Sequence, residues 1–482
     1  MRKSLEKEVR DRFESGENIE LIEQQLIEQG HLESDVVSAI HRVCGSHFQN
    51  KRNEHNKRIR KFFRKEVFDR AGYGFGSEQY INILFYQCGA SLFLITLLNG
   101  LRTLVGTTFS SWLKSYAHNV SFDRKVISVA GFFLGFCFIL MGFARNSNSL
   151  WLFFFAALLT AIGALSHGEL YQALMDRVLR EEKSGLINKV YQYGLMITIT
   201  TLVLGAYIID RFSRYTISIN LFGASKTFVL QGQLLVFCLA GISFCISGLM
   251  LHNLEHTSSA GKARLKIKHH VKNYLKELVD SAKVLLNDKT VFVLMVAATI
   301  TSLVQLLGNS FFGIYIFQVF NHIGFGGFLN VALVFVLGVI ASILTPQLTR
   351  RHSKQYGNFP MLIFGTMLMA IMPLSYYYNP NLVSIAMGTI AGVIGGVIAG
   401  VAHSLLAKDL VPQRLQESYF GMSSLIAIIP YIIIIPIAAH TVANIGLEKL
   451  FLVLALTLVA VVVPLYFVLM IRFEKKRFIY AV

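Results

Sequence analysis

The chain has 482 residues, of which 54% are hydrophobic and only 15% charged, with a mean hydropathy of +0.53. That balance excludes an ordinary soluble protein, in which about 25% of residues are charged. The net charge of +17 falls in the gaps between apolar runs, which is the loop bias of a membrane protein and not a nucleic-acid face. The five cysteines, Cys44, Cys88, Cys137, Cys238 and Cys245, form no CxxC pair, so neither a disulfide framework nor a zinc site is expected.

Residues 1–45 read as a small helical cytoplasmic module. Asn18 is placed to cap a helix carrying Ile19, Ile22 and Leu26, and Gly30 to end it. Ser34-Asp35 opens a second helix with Val36, Val37, Ile40 and Val43 inside. A bundle of this size is marginal alone and leans on the membrane domain or on another subunit. The start of the chain is too polar for a signal peptide, so the first span is expected to act as an internal signal.

Residues 46–76 form a basic linker. Within it, Ile59, Phe62, Phe63 and Val67 share one helical face and the remainder is largely Lys and Arg, as in an amphipathic helix lying on the inner membrane surface. A solvated charged linker helix is the alternative.

Twelve apolar segments follow. The first six, at about 77–98, 100–118, 126–144, 150–174, 190–209 and 229–251, make an N-terminal half over 77–251. A basic cytoplasmic loop covers 252–290, and a second set lies at about 291–317, 327–348, 360–378, 382–407, 419–440 and 450–471. It makes a C-terminal half over 291–472, with a tail at 473–482. Each segment is long enough to cross a core of ~30 Å as a helix. The turn dipeptide Asn99-Gly100 separates the first two. With both termini in the cytoplasm, 39 of the 45 Lys and Arg residues fall on the inner side and 6, including Arg102, on the outer.

The two halves share a weak repeat. MDRVLREEKSG after the fourth span aligns with AKDLVPQRLQE after the tenth, placing Asp176 on Asp409 and Val178 on Val411. On this six-plus-six plan, the long central loop and those two short charged loops, residues 77–472 resemble the major facilitator superfamily. The family's Gly-rich Asp-Arg loop after the second span is represented here only by Asp123, Arg124 and Lys125, with a looser echo at Arg350 and Arg351. The resemblance implies an all-α, twelve-helix transporter and does not extend to the N-terminal module.

It also implies that the first, fourth, seventh and tenth spans line a central cavity, where polar residues are costly and tend to be functional. On the fourth span Ser166, Glu169, Gln172 and Asp176 form one stripe, and Glu169 is the one carboxylate placed within a span. Desolvated there, it could exchange a proton. Alternatively it snorkels to water as a structural group. His167, on the far side of the helix beside Tyr171, reads as a packing histidine. On the seventh span Ser302, Gln305 and Asn309 share a face suited to a substrate or to neighbouring helices. The tenth carries Gly388, Gly392, Gly396 and Gly400, a smooth packing face continued by His403, which is either a proton partner or a packing residue. Pro430 and Pro436 are expected to kink the eleventh span.

No HExxH, GxxxxGK[ST] or GxSxG pattern supports an enzyme, and no cofactor or metal is expected. The expected function is secondary-active transport of a small molecule, with proton-coupled export of an amphipathic or weakly cationic compound as the finer reading, since no Arg or Lys is placed deep in the cavity. The alternative is a non-transporting sensor or scaffold. Expected partners are the substrate, the lipid bilayer, a proton and a cytoplasmic protein for the N-terminal module, with no nucleic acid. The cell membrane is the expected location.

Overall fold

The computed structural model describes residues 2–14, 19–29, 31, 33–119, 124–144, 146–178, 185–212, 215–221, 224–252, 276, 279–378 and 381–479. The chain forms two compact units, Met1–Lys65 and Glu66–Val482.

The first unit contains α1 (Arg2–Glu14), α2 (Ile19–Glu28) and the opening part of α3 (Glu33–Phe75). Its core joins Leu5 and Val9 of α1, Ile22 and Leu26 of α2, and Val36 and Ala39 of α3, with Ile40 and Val43 packed against them. Val37 points outward, 39% exposed, because it is 100° round the helix from Val36. The expected caps Asn18 and Gly30 lie outside the described residues.

The second unit is a bundle of apolar helices. In chain order they are α4 (Glu78–Gln87), α5 (Leu92–Asn119), α6 (Arg124–Phe143), α7 (Leu150–Val178), α8 (Gly185–Arg211) and α9 (Gly232–His252). Then come α10 (Lys289–Val319), α11 (Gly327–Ser342), α12 (Thr345–Tyr356), α13 (Asn358–Tyr378), α14 (Leu382–Leu410), α15 (Gln416–Ile445), α16 (Leu447–Thr457) and α17 (Val463–Ile479). Among the described residues, eight helical segments are long and apolar enough to cross a membrane, and nine if α11 and α12, bent by 42° at their junction, count as one. Pro346 at the start of α12 accounts for that bend. A π turn at Leu458–Val462 joins α16 to α17. Pro430 and Pro436 both lie inside one uninterrupted helix.

Three features differ from the sequence reading. The first concerns the opening pair of spans. Asn99-Gly100 is not a turn but the interior of α5, and the hairpin bend falls at Gly89, whose φ of +95° suits glycine. Asn99 is kept helical by its side chain, which is buried and bonded to neighbouring helices. The second concerns the linker. Residues 66–75 are not a surface helix but part of the bundle, with Phe75 in its core and Asp69 only 5% exposed. They and α4 are separated by a break at Gly76-Ser77, where Ser77 is extended (φ −55°, ψ 139°). The third is a two-stranded antiparallel hairpin between α8 and α9, β1 (Tyr215–Leu221) and β2 (Ala224–Leu230), pairing Tyr215 with Leu230 through Leu221 with Ala224.

The tenth-span glycines divide in two. A Cβ on Gly392 would stand 2.4 Å from Met372 Cβ, and one on Gly395 2.5 Å from the Met369 backbone nitrogen. Gly388 likewise abuts Ser375, so these three seat α14 on α13. Gly396 has only ordinary contacts and Gly400 none within 4 Å. Four-residue steps advance 400°, drifting ~40° per step away from one face, whereas Gly388 to Gly395 closes within ~20°.

Candidate functional site

The two halves of the bundle meet near the end that carries the β-hairpin. Asn99 of α5 donates to Asn82 Oδ1 of α4 and to Ser310 Oγ of α10, both at 2.9 Å. Gln79 and Asn82 donate to the Asn309 carbonyl oxygen at 3.3 and 3.4 Å. These bonds satisfy polar groups that would otherwise be costly to bury.

A second bridge joins α8 to α11. The N-cap of α11 is Gly326, which has no side chain to cap with. Instead Asp210 of α8 accepts from Phe328 N at 3.0 Å and Leu329 N at 2.9 Å. The carboxylate thereby supplies from another helix what a capping residue would supply locally. Gly327, with φ +46° and a Cβ position 2.3 Å from Asp210 Oδ1, leaves room for it. Beside this clasp lies a cavity of about 320 Å³ lined by Gln87, Cys88, Asp210, Gln233, Asn321 and Phe328 among others.

Below these contacts Leu303, Leu306, Tyr431 and Ile435 pack together, with Leu104 of α5 against them. Ser302 Oγ and Tyr431 OH are bonded at 2.8 Å, and Gln305 Nε2 donates to Met369 Sδ at 3.4 Å. Asn309 is exposed on the same helix. The seventh-span residues thus divide between helix bonds and open surface.

At the opposite end, among the described residues, no neighbouring group lies within 4 Å of a Cβ position on Gly106 of α5, Gly168 of α7 or Gly400 of α14. Glu169 lies here, half-buried, and accepts a hydrogen bond from Ser110 Oγ of α5 at 2.6 Å. Ser166 is half-buried and Gln172 exposed. The side chain of Asp176 lies outside the described residues. His403 shares its face with Gly396 and bonds Tyr419 OH through Nε2 at 3.2 Å, while its buried Nδ1 has no partner. Asp409 accepts from Asn358 Nδ2 at 2.6 Å, tying α14 to the start of α13.

Three charged groups within the bundle escaped the sequence reading. Asp69 of α3 accepts from Ser247 Oγ of α9 at 2.5 Å and meets His167 Nε2 of α7 at 3.0 Å. His167 Nδ1 faces the Ile127 carbonyl at 3.2 Å. With acceptors at both ring nitrogens, the ring must donate on both sides or Asp69 must hold the second proton. The packing expected of His167 is therefore joined to an ion pair, 1% and 7% exposed.

The other two are Glu78, first residue of α4, and Arg102 of α5, whose Oε1 and Nη1 are 3.6 Å apart. Arg102 is not in an outer loop. It stands ten residues, or about 15 Å, inside α5, near the middle of a membrane core. The premise that no Arg or Lys lies deep in the bundle, on which a weakly cationic substrate rested, is therefore incorrect. Placing the hairpin at Gly89 from Cys88-Gly89-Ala90-Ser91 would have faced Glu78 and Arg102 across two antiparallel helices.

A bundle of apolar helices with charged side chains within it, eight of its helical segments among the described residues long enough to span a bilayer, has the make-up of a polytopic membrane protein. The model of the Major Facilitator Superfamily matches residues 79–427, and the chain belongs to that superfamily. No curated protein matches it. Among solved structures, it is similar to the nucleoside transporter NupG, with a TM-score of 0.62 at 12% identity over 86% of this chain and 99% of that one. It is also similar to a bacterial homologue of the human drug peptide transporters PepT1 and PepT2, with a TM-score of 0.57 at 12% identity over 88% and 99%. A tetrameric PepTSo2 gives 0.58 at 14% identity over 86% and 98%. At these identities the likeness concerns the fold.

Proposed function

We propose that the chain is a secondary-active carrier of a small organic solute, coupled to protons through Glu169. The observation that carries this reading is the position of Glu169, a carboxylate at the end of the bundle opposite the β-hairpin, held by the Ser110 hydroxyl at 2.6 Å. A carboxylate partly removed from water by apolar helices can bind and release a proton as its surroundings change. In this reading the eight long spans, the bent α11–α12 pair, the two helices of the opening hairpin and α15 make twelve crossings. With Arg102 now inside α5, 39 Lys and Arg residues lie on the inner side and 5 in outer segments, which supports both termini in the cytoplasm of a cell-membrane protein. The end carrying Glu169 then faces inward, and α4–α10 and α8–α11 contacts close the outer side. Export is the direction proposed.

The test is a transport screen in proteoliposomes with an imposed pH gradient, followed by Glu169→Gln on whatever solute moves. The variant keeps size and hydrogen bonding but cannot change charge. Gradient-driven transport is expected to be lost, with gradient-free exchange retained. Normal gradient-driven transport by the variant would make Glu169 structural. A non-transporting scaffold is disfavoured by the superfamily to which the chain belongs.

A further inference from the structure

We propose that Glu78 and Arg102 form a binding site for a zwitterionic solute, its carboxylate received by Arg102 and its ammonium by Glu78. The pair stands about halfway across the bundle, ~13 Å from the hairpin end of α4 and ~15 Å from that of α5. A charge at such depth costs about 2.5–3.5 kcal/mol on insertion scales, so it persists where it has a use or a partner. As a mere ion pair this one is poorly made. The nearest approach is 3.6 Å, beyond hydrogen-bond length. Arg102 Nε and Nη1 are buried without any hydrogen-bond partner among the described residues. Arg102 is 17% exposed and Glu78 51%. A carboxylate half-exposed at that depth needs polar surroundings, since lipid would not tolerate it.

The backbone adds to the site. The break at Gly76-Ser77 starts α4 inside the bundle, and Ser77 makes no side-chain cap. A helix beginning there directs free N–H groups and its positive end into the same region, which favours an anionic group. Interrupted membrane helices commonly bind solutes in this way. Along α5, Arg102 stands two turns from Ser110, the partner of Glu169, so this one helix contributes a residue to the proposed site and another to the Glu169 contact. An incoming carboxylate satisfies the Arg102 donors that Glu78 leaves unbonded, and Glu78 is freed to take the ammonium. Net charge in the site is unchanged throughout, which spares the carrier from burying an unpaired ion.

For its place in a transport cycle this inference rests on the carrier reading, but its test reads binding alone. The purified full-length chain is titrated with phenylalanine, N-acetylphenylalanine and phenylalaninamide, one skeleton as zwitterion, anion and cation, and apparent Kd is taken from thermal shifts. Phenylalanine is expected to stabilise most, the N-acetyl form less and the amide least. Arg102→Gln is expected to weaken phenylalanine roughly tenfold to a hundredfold, the loss of a charge-assisted contact. Glu78→Gln should weaken phenylalanine but not N-acetylphenylalanine. If Arg102→Gln fails to fold, the exchanged pair Glu78→Arg with Arg102→Glu keeps the site neutral and should restore phenylalanine binding over the amide. The proposal is overturned if the amide binds as well as phenylalanine, if none of the three stabilises the protein, or if Arg102→Gln binds unchanged. Binding without any gradient-driven transport would count against the carrier reading and leave the site standing.

Discussion

Asp210 is the sharpest place to perturb the contact between the two halves. Its oxygens accept from Phe328 N and Leu329 N at 3.0 and 2.9 Å, and α11 has no capping side chain of its own. Asp210→Asn removes the charge and leaves a single acceptor oxygen for two donors. Asp210 is exposed, so buried ion-pair energies do not apply. The appropriate scale is that of a helix cap, about 1 kcal/mol, plus roughly 0.5 kcal/mol for an anion at an exposed helix start. Because the clasp joins the two halves, that ~1.5 kcal/mol is lost from the state closed at the hairpin end, shifting its equilibrium toward opening by about tenfold. Cys88 reports the change. It lines the adjoining cavity and is 3% exposed. Its labelling by a membrane-impermeant maleimide from the hairpin side should accelerate about tenfold in Asp210→Asn and vanish in Cys88→Ser. A folded Asp210→Asn variant that labels at the native rate would refute the clasp.

Two further predictions address packing. Gly392→Ala should lower the melting temperature in detergent by the ~1–3 kcal/mol of an overpacked contact, since its Cβ would stand 2.4 Å from Met372 Cβ. Gly400→Ala should be neutral or mildly stabilising through helix propensity, and equal losses in both variants would contradict the two-faced reading of α14. His167→Leu should destabilise by about 1–3 kcal/mol by removing the imidazole bonded to the buried Asp69 carboxyl at 3.0 Å. Adding Asp69→Leu should recover part of the loss in thermal unfolding. A double variant no better than the single would show that the pair is not coupled.

The apolar spans from the third onward were legible because a run of eighteen or more apolar residues has few readings. The fourth, expected at 150–174, is Leu150–Val178, and the tenth, expected at 382–407, is Leu382–Leu410. The opening hairpin was not. Asn99 and Gly100 are turn formers by intrinsic preference, but here Asn99 is held helical by bonds to Asn82 and Ser310. Those partners are 17 and 211 residues away, beyond the reach of local pattern. Misplacing the bend by about ten residues moved Arg102 to the outside and left Glu78 at a span end, hiding the proposed site. Asp69 was lost because basic neighbours made residues 51–70 look like surface. Its contacts with His167 on α7 and Ser247 on α9 emerge only once the helices are assembled. Glu169 was found because it is a lone carboxylate in an apolar run, a signal that needs no partner. The β-hairpin was missed because the loop was read for charge alone.

The broken opening span bears on how the chain enters the bilayer. At ten residues, α4 is about 15 Å long, half of what is needed to cross, and α5 carries an arginine at its centre. Neither is expected to partition from the translocon on hydropathy alone. Gln79, Asn82 and Asn99 make their bonds to one another and to Asn309 and Ser310, which are synthesised some two hundred residues later. The hairpin therefore waits, at the translocon or in the care of an insertase, until α10 has been made. Truncations ending before residue 289 should accordingly yield a first hairpin that can be extracted from the membrane at alkaline pH, while chains extending through Val319 should not.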